Sequence, residues 1–312
     1  MYHPYFRGKT YELVTIRENA GLLSQAGFVP IIEPVKEGLN GLQRALSAVC
    51  EADGKAIVII NPYHGEYSEN GADISSLLKK VFFNNKGISA GILLKKNMNV
   101  EKVVAFCEEH KHHNPSLIHA GFLEPKALAS KLTSNLKISK HIFFDQHCGK
   151  LYRRHFNGVQ RILLKDGFER RRNADHPDLE EFSDLHVTYQ EEDMDGFGDF
   201  LIVGDEYSEG GGPAYAVAIH LTFIDSDKED VMYIHHFISE QKDTPKDPGG
   251  KFAQALKKLI LNLESANSKL LESNAIKEFR KLHAEDHFPG LGYVKKLSMQ
   301  HHIETLADFF GR

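Results

Sequence analysis

The sequence predicts an α/β protein: a TIM-barrel-like (β/α)8 parallel barrel with an appended β-hairpin and C-terminal helices. In the first half of the chain, short apolar runs typical of strands buried on both faces alternate with amphipathic helical stretches. This alternation requires right-handed crossovers onto a parallel sheet. A closed barrel is favoured because seven strand–helix units occur and none carries the glycine-rich phosphate loop of the open nucleotide-binding folds.

Each predicted strand delivers a polar residue at its C-terminal end. The stretch Val29–Lys36 shows the pattern, with apolar residues followed by Glu33 and a proline. Similar runs end on Arg7, Asn61, Lys95, His119, Asp145 and Lys165. Because the carboxyl ends of barrel strands meet at one mouth, we expect all these side chains to face a common cavity.

Helical spacing of apolar residues predicts the helices between these strands. The first begins near Tyr11, and the others cover Leu42–Val49, Ile74–Val81, Val100–Cys107, Leu128–Leu132 and Leu151–Phe156. The eighth strand has two candidates, Leu185–Tyr189 and Phe200–Gly204. We favour Phe200–Gly204, which begins within the glycine-containing segment 196–200.

The last third of the chain changes character. Two β-rich runs, Tyr215–Ile224 and Val231–Ser239, flank a polar connection and predict an antiparallel hairpin. Amphipathic helices are predicted over Phe252–Leu263, Leu271–Leu282 and Ile303–Phe310. We expect residues 1–210 to form the barrel core and residues 211–312 to pack on it as part of the same domain.

Composition and charge exclude several classes of protein. With 312 residues, 41% of them hydrophobic, the chain can form the large core of a single α/β barrel. A formal charge of −5 argues against a non-specific binder of duplex DNA. The three cysteines lack zinc or redox spacing and fit a reducing compartment. Without a signal-peptide core or a run of about 18–20 apolar residues, a cytoplasmic protein that does not enter membranes is predicted.

The strand-end residues predict an enzyme that acts on a phosphorylated or otherwise anionic small molecule, by hydrolase- or lyase-type chemistry. Carboxylates near a histidine can transfer protons, and a desolvated lysine can act as a nucleophile. The predicted catalytic residues are Glu33, His119, Asp145 and Lys165. The predicted substrate-binding residues are Arg7, Lys9, Asn61, Lys95 and Arg171. The pattern names no cofactor.

Two other interpretations of the strand ends stay open. The charged groups could form a structural ion network that plugs the barrel. They could also bind a metal, with Glu33, His119, Asp145 and His147 as the ligands. Because the lysines at the same mouth would repel a cation, no metal is predicted.

Histidines outside the strand ends carry weaker signals. His64, in the loop Pro62-Tyr63-His64-Gly65, could be a ligand, a general base or a solvated side chain. The adjacent pairs His235-His236 and His301-His302 make no chelate by spacing alone, because neighbouring side chains on a strand point to opposite faces. Both pairs are interpreted as structural.

The thermal midpoints of variants can distinguish a catalytic site at the barrel mouth from a structural ion network. Charged groups kept for chemistry cost stability, so Glu33→Gln and Lys95→Ala are predicted to abolish activity without lowering the thermal midpoint. A structural ion network would give lower midpoints, because removing one partner leaves the other buried and unpaired.

Charge is unevenly distributed in the middle of the chain. Residues 150–172 hold eight Lys or Arg against two acids, whereas residues 173–210 hold thirteen acids and no Lys or Arg. The two segments could pair across the surface, or the basic one could form an anion-binding rim. A basic patch of this kind supports the alternative function, a non-catalytic module that binds a protein partner or nucleic acid. Large side chains such as Phe144 and Tyr63 filling the mouth would favour that alternative.

Five short motifs follow one another in a specific order along nearly the whole chain. They are PYFRGKxxE at Pro4–Glu12, PIIEP at Pro30–Pro34, GFGDF at Gly196–Phe200, the hairpin segment Ala216–Thr222 and His301-His302-Ile303. Together they resemble the "beta protein" family of bacteria and phages, and most closely a bacterial branch designated only by an "sce" locus tag. The resemblance implies a TIM-barrel-like fold and an association with mobile elements and anti-phage loci. Phe200 stands where the family more often has Tyr, and His220 where Arg is common.

Overall fold

The computed structural model describes residues 1–132, 136–210, 212 and 214–311. The strands are β1 (Tyr5–Phe6), β2 (Ile31–Ile32), β3 (Ala56–Ile59), β4 (Ile88–Lys95), β5 (Ser116–Ala120), β6 (Lys140–Phe144), β7 (Gln160–Leu164), β8 (Leu179–Ser183), β9 (Gly196–Gly198), β10 (Ala218–Asp225) and β11 (Val231–Ile238). The α-helices are α1 (Thr10–Glu18), α2 (Ala20–Gln25), α3 (Asn40–Glu51), α4 (Ala72–Val81), α5 (Val100–Glu109), α6 (Pro125–Lys131), α7 (Lys150–Arg153), α8 (Leu185–Thr188), α9 (Pro248–Glu264), α10 (Asn274–Ala284) and α11 (Leu291–Gly311).

Eight parallel strands form one sheet in the order β1-β2-β3-β4-β5-β6-β7-β9. The N-terminal segment brings its two edges together. An isolated parallel bridge joins Tyr2 to Phe197, and the His3 N–H donates to the Phe197 carbonyl at 2.8 Å. The Tyr5 N–H donates to the Asp199 carbonyl at 2.9 Å. The result is a nearly closed barrel with helices between the strands, which confirms the predicted fold class.

The eighth barrel strand lies upstream of the segment favoured for it. Leu185–Thr188 is helix α8, and residues 201–203 form a turn. The strand is β9, which contains Gly196 and Gly198. A Cβ added at Gly196 would lie 2.4 Å from the Met1 carbonyl oxygen, and one added at Gly198 would lie 2.1 Å from the His3 carbonyl oxygen. Only glycine permits this close approach of two backbones. The prediction was wrong because it followed the apolar run after Gly198, not the glycines themselves.

Alternate strand residues fill the interior of the barrel. The interior cluster comprises Tyr5, Val29, Ile31, Ile57, Ile59, Leu93, Ile118, Ile142, Phe144, Ile162, Leu164 and Phe200. Successive side chains on a strand point to opposite faces, so the neighbours of these residues face the surrounding helices. This alternation decides which polar side chains at the strand ends can face the mouth.

The chain divides into two compact units. The first comprises Met1–Lys165 and Thr188–Phe200 and holds the barrel, and the second comprises Asp166–Val187 and Leu201–Arg312. The second unit therefore begins earlier in the chain than residue 211, where the sequence places the appended part. That both parts belong to one domain stays a prediction.

The second unit is built on a three-stranded antiparallel sheet in the order β10-β11-β8. The register of β10 and β11 pairs Ala218 with Ile238 and Asp225 with Val231, which confirms the predicted hairpin. Strand β8 was not predicted, because its acidic residues do not alternate with apolar ones. One face of the sheet packs on α9 and α10 through a cluster that includes Val217, Ile219, Leu221, Phe237, Phe252, Leu256, Ile276 and Phe279. Across the described residues, no helix combines the length and the apolar character that crossing a bilayer requires.

Candidate functional site

Glu33 is a buried carboxylate just after β2, at the barrel mouth. It forms an ion pair with Arg7 and accepts hydrogen bonds from the Tyr5 hydroxyl at 2.8 Å, the Tyr63 N–H at 2.7 Å and the His64 N–H at 3.1 Å. Burial on its own raises the pKa of Glu33, but the hydrogen bond from His64 and the charge of Arg7 outweigh it and lower the pKa to about 2. Glu33 is therefore ionised at neutral pH, and with so low a pKa it is only a weak base.

His64 lies beside this carboxylate. Its Nδ1 is 3.3 Å from Glu33 Oε1 and 3.1 Å from Arg7 Nη1, and the side chain is 26% exposed. Because Nδ1 faces Glu33, Nε2 lies on the far side of the ring. A carboxylate that holds one nitrogen of a histidine fixes the ring and stabilises its protonated form, which is the arrangement used in proton-transfer catalysis.

The loop after β3 positions His64. Its first residue, Asn61, accepts the Leu93 N–H at 2.8 Å and donates to the Leu93 carbonyl at 2.9 Å, so its amide is used to join neighbouring strands. Gly65 has a φ of +72°, and an added Cβ would lie 2.1 Å from the Val35 carbonyl oxygen. The loop thus packs directly on the backbone that follows Glu33.

Gly65→Ala is expected to lower the free energy of unfolding by more than the roughly 1–2 kcal/mol that a left-handed backbone costs alanine, because the methyl group also meets Val35. Gly27→Ala is the matched control, since Gly27 has a φ of +67° with no atom within 4 Å of the added Cβ. Urea denaturation followed by circular dichroism measures both. Equal losses in the two variants would contradict the tight packing of this loop.

Lys95 places a second cation next to the same loop. Its Nζ donates to the Pro62 carbonyl at 2.6 Å and lies 5.5 Å from the centre of the Tyr63 ring. Half-burial lowers the pKa of Lys95, and the charge of Glu33 acts in the opposite direction. Lys95 thus adds a second cation beside Arg7, and the buried Glu12, which accepts the Arg7 N–H, adds a second carboxylate beside Glu33.

Aromatic rings fill the barrel beneath these charges. The ring centres of Tyr5, Phe144 and Phe200 lie 5.0–5.6 Å from one another, and all three side chains are buried. Tyr63, in contrast, is 60% exposed. Of the two side chains expected to distinguish an open mouth from a filled one, Phe144 fills the barrel and Tyr63 does not.

The structure corrects the expected placement of one predicted catalytic residue, His119. Three of the predicted residues face inward, because each follows a residue of the interior cluster by two positions. They are Arg7 after Tyr5, Glu33 after Ile31 and Lys95 after Leu93. His119, one position after Ile118 within β5, points the other way. Asp145 begins a 3-10 helix after β6, and Lys165 follows the end of β7. His119 therefore does not join Glu33 in one catalytic group.

His119 belongs instead to a buried cluster under α7. Its Nδ1 is 2.8 Å from the Tyr152 hydroxyl and its Nε2 is 3.0 Å from His141 Nδ1. Its ring also packs on Phe143 and Phe156, with centres 4.7 and 4.4 Å away. Both nitrogens are thus used in the packing of a helix against the outside of the barrel.

The other predicted residues lie at exposed or helix-end positions. Asp145 begins a short 3-10 helix and is 3.7 Å from Arg153. Lys165 is exposed directly after β7, and Lys9 precedes α1. Arg171, in the second unit, pairs with Glu180 at 2.6 Å. Of the predicted set, the structure brings Arg7, Glu33 and Lys95 to the loop that holds His64, with Asn61 in a supporting position.

The basic segment is paired with the acidic one, as one of the two interpretations of the sequence predicts. In the first unit Lys150 and Arg153 contact Glu192 at 3.2 and 2.7 Å. In the second unit the pairs are Arg170–Glu206, Arg171–Glu180 and Arg172–Asp175. These contacts neutralise cations that a nucleic-acid surface would need.

The likeness of this chain to known proteins is weak. No family model matches the chain, and no curated protein matches its sequence. Among solved structures, the chain is similar to the structure of FabK from Thermotoga maritima, with 13% sequence identity and a TM-score of 0.38 over 99% of this chain and 95% of that one. A likeness this weak indicates neither activity nor ligand. The barrel fold rests on the strand order and its closure.

Proposed function

We propose that the chain is an enzyme that acts on a phosphorylated or otherwise anionic small molecule at the barrel mouth, with His64 as the proton-transfer group. The observation that carries the proposal is the contact between His64 Nδ1 and the buried carboxylate of Glu33, with Lys95 beside the same loop. The position of the group at the carboxyl ends of parallel strands supports it, because barrel enzymes bind substrates there.

Each residue has a separate task in this proposal. His64 takes up or donates a proton through Nε2, while the permanent negative charge of Glu33 stabilises the imidazolium that forms. Arg7 keeps Glu33 ionised and in place. Lys95 attracts the anion and stabilises negative charge that develops in the transition state. Such a group suits hydrolysis or elimination, in which a proton is moved next to an anionic group.

Phosphate binding tests the substrate class. Inorganic phosphate is titrated into the full chain by calorimetry, and Lys95→Gln is expected to weaken binding about tenfold or more, as loss of a charged hydrogen bond does. Lys96→Gln is the matched control, since Lys96 is the next residue and is exposed. Equal affinity in the two variants, or no binding by the parent, would remove the case for an anion site.

Two further measurements extend the proposal to the natural ligand and the cell. Mass spectrometry of small molecules that co-purify with the protein is expected to find an anionic compound with the parent and less of it with Lys95→Gln.

The resemblance to the "beta protein" family leads us to propose a role in anti-phage defence. His64→Gln is then expected to abolish resistance to phage infection, while His112→Gln, at an exposed histidine, leaves it intact. A parent that gives no resistance contradicts the cellular role but not the anion site.

The alternative of a binding module on the basic segment is not adopted. Five of its eight cations form ion pairs with carboxylates within each unit, as described above.

A further inference from the structure

Three histidines meet on the antiparallel sheet of the second unit. His220 on β10 and His236 on β11 are directly opposite in the strand register. His176 comes from the segment just before β8, and its ring stacks on that of His236 with centres 4.4 Å apart. One ring nitrogen from each of the three lies within 4.8 Å of those of the other two. Three imidazoles at this spacing match the ligand number of zinc sites that keep an open position.

Glu180 sets the tautomer of His236. The Nε2 of His236 is 3.0 Å from Glu180 Oε1, and because a carboxylate only accepts, His236 must donate from Nε2. Its Nδ1 therefore carries a lone pair, which points at His220 Nδ1 at 2.6 Å. A histidine that gives one N–H to a carboxylate and offers its other nitrogen is the usual form of a metal ligand.

His176 supplies the third imidazole of the cluster. The residue is buried, and its Nδ1 has no hydrogen-bond partner, lying 3.7 Å from Glu180 Oε1. Buried polar atoms in proteins are normally satisfied, so an orphaned one indicates a missing partner.

We propose that His176, His220 and His236 bind a divalent transition-metal ion of the zinc type, with a fourth position left for water or an anion. Imidazole nitrogens suit zinc and its neighbours better than calcium or magnesium, which prefer oxygen ligands. This site is separate from the proposed barrel-mouth site, and its test does not depend on any activity.

Coordination changes the cluster in a defined way. Zinc–nitrogen bonds of about 2.0–2.1 Å in a tetrahedron separate two nitrogens by about 3.3 Å, so His220, which is only half-buried, moves away from His236. The proton that His220 Nδ1 donates to His236 Nδ1 shifts to His220 Nε2, and no proton is lost overall. The ring of Phe168, 5.2 Å from His220 and 5.4 Å from His176, forms an apolar wall. Arg171 pairs with Glu180, which keeps the carboxylate ionised beside His236.

Cobalt titration tests the proposal on the untagged full chain, after chelator treatment and removal of the chelator. Co²⁺ is expected to bind in a single equivalent with visible d–d absorption, Zn²⁺ to displace it, and Zn²⁺ to raise the thermal midpoint. No binding of either ion by the parent would overturn the proposal.

Variants assign the site. His220→Asn keeps a polar group near the Nδ1 position but is a poor ligand, and is expected to weaken Co²⁺ binding tenfold or more, in the range of changes known for metal-site residues. His235→Gln is the matched control, because His235 is next to His236 and stacks on Phe223 and Phe237 on the opposite face. His176→Gln serves as a second ligand variant should circular dichroism show that His220→Asn is unfolded. Ligand variants that bind Co²⁺ as tightly as the control would overturn the assignment.

Discussion

Glu33→Gln is expected to lower the free energy of unfolding by about 3–5 kcal/mol, the range found when one partner of a buried ion pair is removed. The change removes the carboxylate charge that pairs with the buried guanidinium of Arg7 and weakens the hydrogen bonds from Tyr5, Tyr63 and His64. The sequence alone predicts an unchanged midpoint for this variant. The geometry reverses that expectation, because Glu33 is completely buried and joins two segments of the chain. Glu33 and Arg7 thus form a structural ion pair that also positions His64, the proposed proton-transfer group.

Glu109→Gln provides the control for this experiment. Glu109 pairs with Lys79 at 2.7 Å, but both side chains are about half-exposed. Exposed pairs contribute roughly 0–1 kcal/mol, so urea denaturation should separate the two variants clearly. The double variant Arg7→Met, Glu33→Leu is expected to recover part of the loss, because apolar pairs often replace buried ion pairs without cost. A Glu33→Gln protein as stable as Glu109→Gln would mean that the pair is solvated.

Mild acid is expected to destabilise the barrel steeply. Burial lowers the pKa of His3 to about 3 and that of His141 to about 4, and nearby Lys140 and Arg161 act in the same direction. In the unfolded chain both titrate near pH 6.5, so between pH 6.5 and about 4 the unfolded state binds protons that the folded state does not. Stability is therefore complete above pH 6.5 and falls by about 1.4 kcal/mol per pH unit for each histidine below it.

The measurement is the free energy of unfolding at several values between about pH 7 and pH 5.5, a range above the titration of Glu33 in both the folded and the unfolded chain. His141→Asn is the matched variant, because asparagine can still bond His119 from the Nδ1 position but carries no titratable group. The free energy of unfolding of this variant should fall with pH less steeply than that of the parent, by about the 1.4 kcal/mol per pH unit that one histidine contributes. Identical slopes would show that His141 does not contribute.

Alternation along the strands explains how far the sequence could predict the mouth. The alternation of apolar runs and helices was enough for the barrel, and the strand ends were placed within a few residues. Whether a polar residue faces in or out depends on a single position of register. Arg7, Glu33 and Lys95 follow inward-facing residues by two positions, whereas His119 follows Ile118 by one. A continuous apolar run does not show which of its residues face inward, so the sequence could not separate the two groups.

The sequence named His64 as a possible general base without placing it at Glu33, and it did not bring the three histidines of the second unit together. His64 lies in a loop, and nothing in the sequence states that two loop N–H groups reach Glu33. The predicted hairpin connection at residues 225–230 sets Ile224 opposite Val231 and therefore His220 opposite His235. In the structure Asp225 pairs with Val231, and this shift of one position sets His220 opposite His236. The position of His176 could not be predicted, because the sequence of β8 shows no strand pattern.

The closure of the barrel has a consequence for synthesis on the ribosome. The hydroxyl of Tyr2 bonds the carboxylate of Asp199, 197 positions later, so the growing chain holds an open sheet until nearly two thirds of it has emerged. During that interval the β1 edge has no partner and is exposed to pairing with other chains. Arg7, Glu33 and His64 are all made within the first 64 residues. Their contacts can therefore form early and hold the first strands together while the last one is still being translated.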